Sequence, residues 1–316
     1  MNPVSKDIWT VGDVLKWTTE RFKDAGLSSP RLEAEVLLAS VLNCDRVTVY
    51  TDYQKPLDQK ERTLYRELIK KRLEGRPSAY LVGHREFWSL DFKVNPHVLI
   101  PRPDTELLVE LTLELMKDTA SPLIADIGTG SGCIATAIAK ERKDATIVAT
   151  DLSQKALSTA KENAQRHAVN IEFLHGSLTE PLMERAGEFH LVVSNPPYIA
   201  EKESSELGNQ GTKPQNIRTS PSGGLSCDPD VMKYEPREAL MGGKDGLDII
   251  RTLIADVPNI LRPGGFFITE VGANQASRVA DLMKKTKSYE NVDIRQDLSG
   301  LDRAVFGKKT EVVSEP

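Results

Sequence analysis

The sequence has few residues of the kinds that build cross-linked or metal-bound folds. Its 316 residues include only three cysteines, Cys44, Cys133 and Cys227, which lie far apart and form no Cys-x-x-Cys pair. This spacing argues against a disulfide framework and against a structural zinc site, and it favours a reducing, cytoplasmic location. The five histidines show no metal-like spacing either, so no metal site is predicted.

Long apolar runs and an excess of positive charge are also absent. No apolar run reaches the roughly 18 residues that a membrane span requires, and the N-terminus carries no apolar leader, so we expect a mature, soluble chain that does not bind membranes. The formal net charge of −5 provides no overall positive surface for holding a nucleic-acid backbone. The length allows one large domain and one smaller domain.

The order of predicted elements divides the chain into three parts. Apolar residues at helical spacing predict a helical domain over residues 1–82, which serves either to recognise a partner or to stabilise the fold. Alternating polar and apolar residues predict a β-hairpin linker over residues 83–103. Residues 104–310 form the third part. A stretch near 201–230, rich in Gly, Ser and Pro, has no apolar period and predicts a loop insertion in this part.

Strands and helices alternate in the third part, which predicts an α/β fold with a parallel sheet covered on both faces. The predicted strands are Pro122–Asp126, Thr146–Asp151, Ile171–His175, Leu191–Ser194 and Gly265–Val271, and the predicted helices lie near Gly132–Arg142, Ser153–His167, Gly246–Leu261 and Gln275–Lys285. Val292–Gln296 and Arg303–Gly307 predict a closing antiparallel hairpin.

A glycine-rich turn follows the first of these strands. Its glycines allow a ligand to approach the backbone closely and allow the next helix to pack tightly on the strand. The spacing is Asp-x-Gly-x-Gly-x-Gly, which differs from the Gly-x-Gly-x-x-Gly of dinucleotide sites, and its acid suits an amino or hydroxyl group better than a pyrophosphate. The predicted cofactor-binding residues of this turn are Asp126, Gly128, Thr129, Gly130, Ser131 and Gly132.

A second carboxylate, Asp151, ends the following strand. In such sheets an acid at this position accepts hydrogen bonds from both ribose hydroxyls of a bound nucleoside. Taken alone, a glycine turn is a common loop and a strand-tip acid is often a helix cap. In this order, the two features favour an adenosyl-amino-acid cofactor over a dinucleotide.

The tetrapeptide Asn195-Pro196-Pro197-Tyr198 follows the fourth predicted strand. Because each proline fixes φ near about −65°, the Asn195 carboxamide and the Pro196 carbonyl have set directions that suit a planar –NH2 group. The alternative interpretation is a simple Pro-Pro turn. Tyr198 either packs against a flat substrate or is a buried tyrosine whose hydroxyl has a protein partner.

In combination, these motifs resemble the class I S-adenosylmethionine methyltransferases and, more narrowly, the release factor glutamine methyltransferase family (PrmC/HemK). The narrower resemblance rests on Val98–Glu106, on Asn195–Ile199, and on Tyr234–Leu240 with Gly242–Leu247. It implies a Rossmann-like α/β sheet with helices on both faces and a C-terminal antiparallel hairpin, preceded by a small helical bundle.

The resemblance also implies a reaction and its partners. The chain would use S-adenosylmethionine to methylate the glutamine side-chain nitrogen (N5) in the Gly-Gly-Gln motif of class I peptide chain release factors, the proteins of translation termination. Residues 1–82 would recognise the release factor, and we expect a monomer that binds no nucleic acid stably.

The resemblance further assigns the predicted site residues. Gly128 to Gly132 would surround the methionine part of the cofactor and Asp151 the ribose. Ser177 and Leu178 would occupy the adenine position, where many relatives have an acid and an aromatic residue. Asn195 would contact both cofactor and substrate, and Pro196, Pro197 and Tyr198 would complete the catalytic and substrate-binding set.

Two other functions fit the same motifs. An adenine-N6 DNA or RNA methyltransferase would orient its amine in the same way, but it needs to flip a base from a duplex and normally has a basic surface. A non-catalytic adaptor would bind the cofactor without turnover. The segment Glu235-Pro236-Arg237 either stabilises a loop over the site or forms a buried ion pair.

Overall fold

A computed structural model describes residues 8–201 and 233–311. The described chain forms two compact units, one ending at Gly83 and the other beginning at His84. The predicted loop insertion near 201–230 lies outside the described residues, apart from its first residue.

The N-terminal unit is helical. Its first helix starts at a capping box, in which the Thr10 hydroxyl accepts from the Asp13 amide at 3.3 Å and the Asp13 carboxylate accepts from the Thr10 amide at 3.0 Å. Fully buried apolar side chains, including Leu15, Phe22 and Leu37, form its core. Its helices are α1 (Val11–Asp24), α2 (Pro30–Leu42), α3 (Arg46–Thr51), α4 (Gln59–Leu73) and α5 (Ser78–Val82).

The second unit opens with an antiparallel hairpin of β1 (His84–Phe87) and β2 (Leu90–Lys93). A seven-stranded sheet follows, in which the strands lie in the order β5-β4-β3-β6-β7-β9-β8. The strands β3 to β7 are parallel, and β9 runs antiparallel to both β7 and β8. Their bounds are β3 (Leu123–Ile127), β4 (Thr146–Asp151), β5 (Glu172–His175), β6 (Phe189–Ser194), β7 (Leu261–Glu270), β8 (Tyr289–Gln296) and β9 (Asp302–Lys309).

Helices cover both faces of this sheet. They are α6 (Glu106–Leu115), α7 (Cys133–Glu141), α8 (Gln154–Arg166), α9 (Asp248–Ile260) and α10 (Ala276–Lys285). Ala125 and Ile127 of β3 pack in an apolar cluster with α9 and α10, whereas Ile124 packs in a second cluster with α6 and α7. Successive strand residues thus point to opposite faces, as the pleat of a sheet requires. This architecture confirms the predicted fold class.

The chain reverses direction across the sheet between β3 and β6. It leaves β3 through β4 and β5 and then returns to the other side of β3 to form β6. Ile127 at the end of β3 is therefore paired with Thr150 of β4 on one side and with Ser194 of β6 on the other. Open α/β sheets bind ligands outside the carboxyl ends of the strands at such a reversal.

The features that the sequence lacks are a membrane span, a metal site and paired cysteines. None of the described helices is both long and apolar enough to span a lipid bilayer. In the same residues, no three His, Cys, Asp or Glu side chains are grouped to hold a metal ion. Cys44 and Cys133 are free thiols, and Cys227 lies outside the described ranges.

Candidate active site

A cavity of about 470 Å³ lies at the carboxyl ends of the parallel strands. This volume falls within the usual range for sites that bind small molecules. The predicted site residues that line it are Gly128, Thr129, Gly130, Ser131, Asp151, Ser177, Leu178, Asn195 and Pro197. The fold therefore brings together in one cavity wall residues that end or follow β3, β4, β5 and β6.

The glycines of the first turn serve two different purposes. Gly128 and Gly130 have positive φ angles of 74° and 56°, and a Cβ built on either would meet no described atom within 4 Å. Their backbone is therefore open to a ligand. Gly132, at φ 79°, is different because its Cβ would lie 3.0 Å from the Cβ of Ala160 in α8. This third glycine allows two helices to pack closely.

Asp126 lies beneath this turn and does not line the cavity. Its Oδ2 accepts hydrogen bonds from the Thr129 hydroxyl at 2.6 Å and from the Ala135 amide at 3.2 Å. Complete burial raises the pKa of this carboxyl to about 7. Its Oδ1 has no hydrogen-bond partner among the described residues. The observed bonds hold the turn in shape, and a direct contact of Asp126 with the cofactor stays a prediction.

Asp151 is half-buried and lines the cavity. Its Oδ2 accepts from the Gly130 amide and its Oδ1 from the Ser153 amide, both at 2.8 Å. Burial raises the pKa of Asp151. Because each carboxylate oxygen can accept more than one hydrogen bond, both oxygens can still accept from a ligand hydroxyl. These acceptor oxygens and the open glycine backbone fit an adenosyl cofactor.

The segment after β5 forms the next part of the wall. The Gly176 amide donates to the Asp151 carbonyl at 3.2 Å, which holds this segment beside β4. Ser177 and Leu178 follow and line the cavity, and Leu178 has a positive φ of 47°. Neither side chain is acidic, but Glu238 lines the same cavity. The adenine contacts of Ser177 and Leu178 stay a prediction.

The tetrapeptide after β6 contributes to two cavities. Asn195 and Pro197 line the large cavity, and Asn195, Pro196 and Tyr198 line an adjoining one of about 10 Å³. The Asn195 Nδ2 donates to the Thr105 hydroxyl at 3.1 Å. Tyr198 is 8% exposed and donates its hydroxyl to Glu270 Oε1 at 3.1 Å. Of the two interpretations of Tyr198, packing against a flat substrate or burial with a partner for its hydroxyl, the structure agrees with the second.

Gly242 and Gly246, which belong to the third sequence motif, pack closely against the backbone of this tetrapeptide. The Gly242 amide donates to the Ile199 carbonyl at 2.9 Å. A Cβ on Gly242 would lie 2.7 Å from the Pro197 carbonyl oxygen, and one on Gly246 only 2.3 Å from the Tyr198 carbonyl oxygen. Both distances are too short for any side chain, so these positions require glycine.

An ion pair fastens the first motif to the third. Glu235, whose side chain is fully buried, pairs with Arg102 and accepts from the Ile100 amide at 3.0 Å. The Arg102 side chain also lines the large cavity. The sequence allowed two interpretations of Glu235: it stabilises a loop over the site, or it forms a buried ion pair. The structure agrees with both, because the buried pair with Arg102 holds this segment at the cavity.

Three residues at the site were not predicted from the sequence: Thr105, Arg102 and Glu270. Glu270 ends β7 just as Asp151 ends β4, so the strand-tip rule applied to Asp151 also identifies Glu270. Burial raises the pKa of Glu270 to about 7. Thr105 and Arg102 lie in the recognised segment Val98–Glu106, but nothing in their local sequence indicates which residues they contact.

Two protein families match separate parts of the chain. The PrmC N-terminal domain matches residues 13–83. The Methyltransferase small domain matches residues 104–210, which include the glycine turn, Asp151 and the Asn-Pro-Pro-Tyr segment. The two matches occur in the order that the sequence resemblance implies.

Relatives match the chain over nearly its full length. The release factor glutamine methyltransferase of Geobacter sulfurreducens is 39% identical over 96% of this chain and 98% of its own. That of Bacillus anthracis is 33% identical over 94% of this chain and 99% of its own. Among solved structures, the hMettl16 catalytic domain in complex with a MAT2A 3'UTR hairpin has a TM-score of 0.54 at 16% identity, covering 79% and 84% of the two chains. At this identity, the likeness shows the fold alone.

Asp151→Ala is expected to weaken cofactor binding. The substitution removes a charged acceptor from the cavity wall, and the loss of such hydrogen bonds predicts a rise of about 10- to 100-fold in the dissociation constant for S-adenosylmethionine. Isothermal titration calorimetry measures this constant directly. Asp281→Ala, which removes an exposed acid on α10, is the matched control. Equal affinity of the Asp151→Ala and wild-type proteins would refute the ribose assignment.

Gly246→Ala is expected to destabilise the protein. Gly246 and Gly300 both have positive φ, at 77° and 76°, so alanine costs each about 1–2 kcal/mol for the backbone alone. Only at Gly246 does the new Cβ also clash with the Tyr198 carbonyl, which adds about 1–3 kcal/mol. Chemical denaturation of both variants separates the two costs. Equal losses in stability would show that close packing at Gly246 is unimportant.

Proposed function

The chain belongs to the release factor glutamine methyltransferase family, and from this premise we propose that it methylates N5 of the Gly-Gly-Gln glutamine in class I peptide chain release factors. The protein is an S-adenosylmethionine-dependent methyltransferase. The observation that carries the proposal is the Asn195 carboxamide, held by Thr105 at the wall of a cavity that Asp151 and the glycine turn also line.

Residues at the carboxyl ends of β3 and β4 would hold the cofactor. The open backbone at Gly128 and Gly130 would contact its amino-acid part, and the Asp151 carboxylate would accept from the ribose hydroxyls. S-adenosylmethionine supplies a methyl group that its positively charged sulfonium has already activated. The chain therefore has to bring an acceptor nitrogen to that group in the correct orientation.

Asn195 and Pro196 would orient this acceptor. An amide nitrogen is a weak nucleophile because its lone pair is delocalised into the carbonyl. The Asn195 Oδ1 and the Pro196 carbonyl can accept the two N–H bonds of the substrate –NH2, which aligns the nitrogen and stabilises positive charge that develops on it. Pro197 and Tyr198 hold these two acceptors in place, through the fixed proline backbone and the Tyr198–Glu270 hydrogen bond.

The remaining parts of the chain suit substrate recognition. We propose that residues 1–82 recognise the release factor, that 83–103 connect the two parts, and that 104–310 carry the reaction in a cytoplasmic monomer. The match of residues 13–83 to the PrmC N-terminal domain supports the first assignment. The acidic net charge of −5 supports a protein substrate over a nucleic acid.

A single labelling assay tests the proposal. The purified protein is incubated with methyl-labelled S-adenosylmethionine and, in parallel, with a release factor, its Gly-Gly-Gln Gln→Ala variant, and adenine-containing DNA and RNA. Label on the release factor but not on its Gln→Ala variant is expected. Label on nucleic acid alone would favour the adenine-N6 alternative, and cofactor binding without any label would favour the adaptor.

Asn195→Ala is expected to abolish methyl transfer while largely sparing cofactor affinity. The substitution removes the acceptor that orients the substrate –NH2, and removal of such preorganised groups typically lowers kcat by about 100- to 1000-fold. Steady-state kinetics and calorimetry measure the two effects separately. Asn259→Ala, at an exposed position of α9, controls for the loss of an asparagine elsewhere. Unchanged turnover of Asn195→Ala would disprove the assigned role.

A further inference from the structure

A buried polar network lies directly behind Asn195. The Thr105 hydroxyl accepts from Asn195 Nδ2 at 3.1 Å. The Glu270 carboxyl lies nearby, and its Oε2 is buried without a hydrogen-bond partner among the described residues. Tyr198 donates to the same carboxyl at 3.1 Å. Thr105 is 2% exposed and Glu270 is 1% exposed. The contact of Asn195 with Thr105 therefore continues into the protein interior, where water does not compete for these hydrogen bonds.

Strand pairing fixes the position of this network. Ser194 of β6 is paired with Thr269 of β7, so the next residues, Asn195 and Glu270, emerge side by side from neighbouring parallel strands. Both line the small cavity that adjoins the large one. Thr105 reaches them from the 3₁₀ turn Pro103–Thr105, immediately before α6. Three separate elements thus meet at the Asn195 side chain.

The Asn195 carboxamide has a defined orientation in this contact. Its Nδ2 donates to the Thr105 hydroxyl, so the amide nitrogen faces Thr105 and Oδ1 does not. The ionised form of the neighbouring Glu270 carboxyl can only accept, which favours a Thr105 hydroxyl that turns its own proton away from Asn195.

We infer that Thr105 is a positioning residue that fixes the orientation of the Asn195 carboxamide. This inference rests on the proposed function, because it concerns the Oδ1 that would accept from the substrate –NH2. No described residue donates a hydrogen bond to Oδ1, and Asn195 lines the large cavity. A carboxamide rotated by half a turn would present its own N–H groups to the substrate N–H groups, and the substrate nitrogen would lose its acceptor.

Thr105→Val tests this inference, because valine has nearly the shape of threonine but neither accepts nor donates. Without its partner, the Asn195 carboxamide is free to rotate, and kcat/KM is expected to fall by about 10- to 100-fold. The dissociation constant for S-adenosylmethionine should not change. Thr105→Ser restores a hydroxyl at the same place and should recover most of the activity, a result that simple loss of packing would not give.

Two further variants separate positioning from stability. Thr112→Val removes a buried hydroxyl that bonds only to the backbone of its own helix, at Leu108, and it should leave kcat/KM unchanged. Because Thr105 acts through the Asn195 carboxamide, the double variant Thr105→Val/Asn195→Ala should lose no more kcat/KM than Asn195→Ala alone.

Three results would overturn the inference: wild-type kcat/KM in Thr105→Val, equal losses in Thr105→Val and Thr105→Ser, or multiplied losses in the double variant. Each variant is assayed on both a release factor and an adenine-containing oligonucleotide. If the wild-type protein labels only the oligonucleotide, the proposed function fails. The role of Thr105 is then still decided by comparing kcat/KM of the variants with that of the wild-type protein on the substrate that is labelled, because any planar –NH2 group requires the same acceptor.

Discussion

The parallel pairing of β3 with β4 on one side and β6 on the other is the interaction on which the site depends. It sets Ile127 level with Thr150 and Ser194, so the residues that follow these three strands emerge at one edge. The Ser194 hydroxyl donates a hydrogen bond to the Ile127 carbonyl at 2.8 Å, at the point where the strands end, and so reinforces this register. A shift of one residue would turn Asn195 to the opposite face of the sheet, away from Asp151.

This register also explains why two similar acids differ in placement. The sequence predicts that Asp126 and Asp151 both end their strands, but β3 continues to Ile127. Asp126 is paired with Ala149, two residues before Asp151. At about 3.3 Å per residue, Asp126 lies roughly 7 Å deeper in the sheet. A difference of one residue in a predicted strand end thus separates a buried carboxyl from one that lines the cavity.

Much of the fold and site was predictable because the relevant patterns are local. The alternation of strands and helices indicates a parallel sheet, and the rule on strand ends then selects Asp151 and Asn195 without any knowledge of the packing. The contacts of Thr105 with Asn195 and of Arg102 with Glu235 were not predictable in this way, because their partners lie 90 and 133 residues away in the sequence. Only the packed structure shows how the segment that carries them crosses the strand ends.

In the proposed function, two features of the protein select the substrate: the Asn195 carboxamide and the net charge. In the proposed reaction, an Asn195 carboxamide oriented by Thr105 presents Oδ1 as an acceptor, which favours a substrate group that donates N–H bonds and disfavours a carbonyl. It does not distinguish a glutamine amide from an adenine amine, since both are planar –NH2 groups. The net charge of −5 acts at longer range and opposes the approach of a polyanionic backbone. Under the proposed function, the chemical group is therefore selected at the strand ends, whereas the class of macromolecule is selected by surfaces outside the cavity.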